Sequence, residues 1–306
     1  MSFLTPPSHS PFQPLQPVQT PTNPPAGSLI ITLVHPDPSR SPATAFFLLC
    51  VPDPCLFAYY SALFIHRHFT SSSSTGPIRW RHQHIELELE DKDGLAATSG
   101  GRIGISLHWI GNVMKDVNEG RRTMDSAAQE FKGVILHEMV HTIQHDGFGS
   151  TPGWLIEGFA DYVRLLARLD PPHWKKAGQG NPDKGYETGY DVVAWFLCYL
   201  TGQEPPSVPY TGPDAYIPVN FAIPPPVTTQ TPSQALPTRI AQDGQPNSPP
   251  PPGPPASRPR PRGPFPGLVH VIDSRLETSR WSDSWWVEMT GAPLDVLWRE
   301  YLEYYS

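Results

Sequence analysis

Residues 133 to 165 read GVILHEMVHTIQHDGFGSTPGWLIEGFADYVRL, and this stretch decides the local fold and the chemistry together. Upstream of it, from Asp125, the chain has no proline and begins with good helix formers. Apolar residues then fall on every side (Phe131, Val134, Ile135, Leu136, Met139, Val140 and Ile143), as expected of a helix buried all round. The run DGFGSTPG, with Gly147, Gly149, Pro152 and Gly153, ends that helix and can reverse the chain. WLIEGFADYVRLLARL resumes helical spacing until the prolines at 171 and 172.

The buried helix carries HEMVH, residues 137 to 141. Histidines at i and i+4 share a helix face closely enough to converge on one ion, which makes His137 and His141 two candidate ligands for zinc. A catalytic zinc takes three protein ligands and keeps one position open for water. Glu138, beside the first histidine, is the candidate general base for that water. The third ligand must come from another segment after a reversal, and Glu157 at the start of the second helix is placed for it. Asp161, one turn further, shares its face and can accept a hydrogen bond from the unligated nitrogen of a zinc histidine. Aspartate also binds zinc, so an exchange of roles between Asp161 and Glu157 stays open. His145 would extend the same face if the helix continued past His141. Tyr190, with His173 and Tyr186 behind it, is the candidate donor to an oxyanion.

Working outward, HIELELE at 84–90 alternates Ile85, Leu87 and Leu89 against glutamates, and RIGISLHW at 102–109 alternates through Ile103, Ile105 and Leu107. Two neighbouring antiparallel strands are expected, joined by turn residues and the small-residue run LAATSGG. Downstream, YDVVAWFLCYL, GLVHVIDSRLE, SWWVEMTG and APLDVLWREYLEYY read as helices. Strands followed by helices indicate an α+β fold.

Prolines number 40 and concentrate at residues 6–54 and 205–266, where apolar periodicity is missing. The expected organisation is a low-complexity region at 1–83, a catalytic core at 84–203, a disordered Pro-rich insertion at 204–267, and helices at 268–306 that complete the catalytic domain. Three cysteines leave at least one unpaired, so no disulfide framework is expected. A net charge of −7 gives no basic field for nucleic acid or an acidic membrane. The apolar stretch from Ala43 to His66 is long enough to span a bilayer, but Pro52, Asp53 and Pro54 break it at its middle, so no membrane helix is expected. The N-terminal residues MSFLTPPSHSPFQPL have neither the basic nor the apolar region of a secretory leader. Arg258, Pro261 and Pro264 fit an RxxPxxP ligand of an SH3 domain, against the plainer reading as a linker.

The stretch at 133–165, together with PPHWKK, GYDVVAWFLCYL and SDSWWVEMTGAPLDVLWREY, resembles the basic secretory protein family of plants and fungi, a group of gluzincin-type zinc peptidases. The resemblance spans about residues 84–203 and 268–306. It implies a zincin-like fold, a small mixed sheet packed on the HExxH helix with a mainly helical C-terminal part. It also implies a peptide or protein substrate, held along an edge strand that RIGISL would supply. The family pattern carries over as His137, His141 and Glu157 on Zn2+ with Glu138 as base, and it implies secretion. The acidic charge and the residues before 84 depart from it. The alternative function is a catalytically silent zincin scaffold that recruits partners through its Pro-rich insertion.

Overall fold

The computed structural model describes residues 29–69, 80–180, 185–186, 189–206 and 259–306. Its first element is strand β1 (Ile30–Val34), within the region expected to be low in complexity. Helices α1 (Pro42–Cys50) and α2 (Pro54–Phe69) follow. Residues 30–69 are therefore folded, which corrects the expectation for this part of 1–83. The reason lies in where the prolines fall. Pro42 and Pro54 occupy first helical positions, where a missing N–H costs nothing. Ser41 caps α1 by accepting from Thr44 N, and Asp53 accepts from Leu56 N at 2.8 Å. Pro52, Asp53 and Pro54 thus divide one apolar run into two helices bent by 49°. Phe47, Ala58, Ala62 and Ile65 of this pair are fully buried. No single described helix is long and apolar enough to cross a membrane.

Strands β2 (His84–Glu90), β3 (Ala96–Ser99) and β4 (Arg102–Ser106) complete a four-stranded sheet in the order β1-β2-β4-β3. It is mixed: β2 runs parallel to both β1 and β4, and only β3 is antiparallel to its neighbour. Two expectations change here. The small-residue run, expected only to connect two strands, supplies an extra strand, so β2 and β4 are parallel, and RIGIS lies inside the sheet. β3 takes its place at the edge. The alternation in RIGISLHW also stops early, because Ser106 caps helix α3 (Leu107–Asn118) by accepting from Trp109 N at 3.1 Å.

Helix α4 (Met124–His141) begins at the cap Thr123 and is buried through its middle by α1, α2 and α3 on one side and β3 on another. Helix α5 (Gly153–Leu166) packs between α4 and α6 (Tyr190–Thr201). Gly158 makes the second contact possible: a Cβ there would run into the Val193 side chain. Helices α7 (Leu268–Leu276), α8 (Ser284–Thr290) and α9 (Leu294–Tyr305) follow. α7 packs on α2 and α6, and α9 lays Trp298 and Tyr301 against Phe196 of α6 with ring centroids 5.3 and 5.5 Å apart.

Residues 207–258 of the Pro-rich insertion, Arg258 of the RxxPxxP run included, lie outside the described residues. The chain is fastened where it re-enters. Arg260 donates to Tyr199 O at 2.7 Å and lies over the Tyr199 and Tyr304 rings, and Arg262 donates to Glu300 at 2.9 Å. The mixed α+β architecture expected from the sequence is present, with a helical C-terminal part.

Candidate active site

α4 places His137 and His141 one turn apart, their rings 4.9 Å between centroids and nearly perpendicular. The turn after α4 is tied by Asp146 O, which accepts from Ser150 N and Thr151 N, both at 3.1 Å. That reversal brings α5 back so that Glu157 Oε2 stands 3.0 Å from His137 Nε2 and 3.7 Å from His141 Nε2. One ligand atom from each of the three residues lies within 4.8 Å of the others, a group able to hold a metal ion. Donors about 2.0–2.2 Å from a tetrahedral ion stand roughly 3.3 Å apart, so these spacings suit zinc without a large rearrangement.

Behind each imidazole stands a second polar group. Asp161 Oδ1 is 2.7 Å from His137 Nδ1, so Nδ1–H donates to the carboxylate and Nε2 is left to face Glu157. Burial by itself would lower the pKa of His137, but the hydrogen bonds to Asp161 and Glu157 outweigh it and raise it from the ordinary 6.5 to about 9. Glu157 shows the reciprocal effect. Burial pushes its carboxyl up, and the His137 and His141 rings more than offset this, holding it well below the usual carboxylate range.

Gln144 stands behind His141 as Asp161 stands behind His137. Its amide lies 2.9 Å from His141 Nδ1, and its Oε1 is buried without a hydrogen-bond partner. Amide oxygen and nitrogen are interchangeable by a half-turn of the side chain. With Oε1 turned to the ring, it accepts from Nδ1–H and leaves His141 Nε2 with its lone pair toward Glu157. That orientation matches the tautomer that a metal ligand requires.

Glu138 lines a groove of about 560 Å³ together with His141 and Glu157. β3 and the residue after its end line it as well, through Ala96, Ala97, Thr98 and Gly100, together with Arg81 and His82. Thr98 Oγ1 is 2.7 Å from Glu138 Oε2, and Arg81 donates to Gln144 O at 2.5 Å.

The remaining candidates stand elsewhere. His145 is not on the helix face, because α4 ends at His141. Its backbone N–H and Nδ1 instead meet the two oxygens of Asp273 on α7, at 2.8 and 3.0 Å. His173 lines a separate groove with Arg121, Arg122 and Ser126 at the far end of α4. Tyr186 packs on Trp154 with centroids 4.4 Å apart. Tyr190 opens α6, is 49% exposed, and is outside the lining of the groove that holds Glu138. Thr98, Gln144 and Arg81 are the neighbours that sequence reasoning missed. Gln144 had a signal in its spacing, three residues past a candidate ligand; Thr98 had none without the sheet order.

A family model described as "Peptidase of plants and bacteria", BSP, matches residues 31–208. The match takes in β1, α1 and α2, the part that the resemblance in sequence did not cover, and stops before the C-terminal helices. No curated protein and no solved structure matches the chain.

Proposed function

Because the chain belongs to the BSP family, the peptidases of plants and bacteria, we propose that it is a zinc-dependent metallopeptidase with a zincin-like arrangement of sheet and HExxH helix. The observation that carries this reading is the convergence of His137, His141 and Glu157 beside Glu138 in an open groove. A zinc ion held by those three residues supplies Lewis acidity, polarising a substrate carbonyl and lowering the pKa of a water. The chain's own residues supply the rest. Glu138 accepts a proton from the attacking water and returns it to the nitrogen of the leaving amine. Asp161 and Gln144 hold the two imidazoles in orientation and tautomer. The outer edge of β3, unpaired among the described strands and bordering the groove, offers main-chain groups to an extended peptide. Its small side chains, Ala96 and Ala97, leave room for the substrate.

Glu138→Gln tests the reading. It keeps the size of the side chain and removes its basicity, so turnover of a peptide library should fall by about 10²-fold or more while metal content is unchanged. Cleavage at the wild-type rate would exclude Glu138 as the base.

A further inference from the structure

One register row across the sheet reads Leu33, Leu87, Ile103 and Thr98. Leu87 and Ile103 are fully buried and Leu33 packs on the same core. A fourth apolar residue would complete the row, and valine, with the shape of threonine and a similar strand propensity, would do so without a polar atom to satisfy. The row ends in a hydroxyl instead. Thr98 Oγ1 lies 2.7 Å from Glu138 Oε2 and 3.1 Å from Glu138 O. It has one hydrogen to give, and the shorter contact to the more negative acceptor takes it. Among the described residues no other side chain hydrogen-bonds the Glu138 carboxylate.

We propose that Thr98 is a positioning residue for Glu138, an inference that rests on the peptidase reading above. Its hydroxyl holds Oε2 against β3 and leaves Oε1 free toward the groove to take the proton of the attacking water. The consequence goes beyond one hydrogen bond. The strand whose free edge borders the groove is also the strand that anchors the base, so the register of a bound peptide and the position of the carboxylate are fixed by the same backbone. A base displaced by even about 1 Å loses much of its effect on the reaction, whereas the main-chain groups of β3 that hold the peptide do not depend on the hydroxyl.

The expected signature is a loss in kcat with KM retained. Thr98→Val should lower kcat by about 10- to 100-fold, part of the 10²–10⁴-fold that a placed base contributes, with KM within about twofold and zinc content and Tm close to wild type. Thr98→Ser, which keeps the donor, should recover kcat to within about threefold. If valine at this position prevents folding, the pair Thr98→Ala and Thr98→Ser isolates the hydroxyl in the same way. Glu138→Gln is measured alongside. Valine or alanine variants with wild-type kcat, while Glu138→Gln is inactive, would overturn the role of Thr98 and leave the peptidase reading standing. Loss of zinc from Thr98→Val would also overturn it, since the hydroxyl would then be serving the metal group. Wild-type turnover by Glu138→Gln would instead remove the premise.

Discussion

At the scale of single residues, the candidate ligands were legible because their chemistry is local. His137 and His141 need only a helix between them, and Glu157 and Asp161 need only a second helix after a glycine-rich reversal. Both helices formed, and the side chains converge. Residues that depend on long-range packing were not legible. Thr98 meets Glu138 only because β3 lies at the edge of the sheet and against α4, and the four-residue run AATS carries no apolar alternation to announce a strand. Tyr190, chosen for its chemistry, has its place in the fold at the exposed start of α6. Since it stands outside the groove lining, Tyr190→Phe should leave kcat/KM within about twofold. A loss of 10²-fold, with normal zinc content, would bring it back as an oxyanion donor.

At the scale of elements, the strand pairing turned on one omission. Leaving LAATSGG as part of the connection joined β2 directly to β4 and made them antiparallel; with β3 between them in sequence and antiparallel to β4, β2 and β4 run parallel. The N-terminal helices were missed for a related reason. α1 and α2 are apolar on most sides, so they show little periodicity, and their prolines suggested disorder although two of them start helices. The placement of α5 depends on close contact with α6 at Gly158, next to Glu157. Gly158→Ala would set a methyl group against Val193 and shift α5 or strain it, at a cost of about 1–3 kcal/mol. Denaturant unfolding should show the loss, and zinc affinity should fall with it because Glu157 and Asp161 ride on the same helix. An unchanged midpoint would mean that the two helices adjust freely.

At the scale of the whole molecule, the family match ends at residue 208, yet the C-terminal helices are built into the same core. One join is His145 with Asp273, which links the turn after α4 to α7. Asp273 raises the pKa of His145 chiefly through its side-chain hydrogen bond, against burial and the charge of Arg81, with Glu277 adding to the rise. A raised histidine pKa contributes stability that is fully present below the unfolded value of about 6.5 and disappears as pH climbs through the folded value. The Tm gap between wild type and Asp273→Asn should therefore be wider at about pH 6 than at about pH 9. It should not close entirely, because the carboxylate of Asp273 is a stronger acceptor for the backbone N–H of His145 than the neutral amide that replaces it. A gap that stays constant over this range would show that the ring is neutral throughout.

The measurement closest to the central claim is zinc content of the purified chain by mass spectrometry, taken for wild type and His141→Ala and paired with peptide hydrolysis before and after chelation. Two imidazoles and a carboxylate within 4.8 Å should hold about one zinc per chain. His141→Ala should lose it, and cleavage should disappear with a chelator and return with added zinc. A folded wild-type chain that neither takes up zinc nor needs a metal to cut peptides would contradict the account.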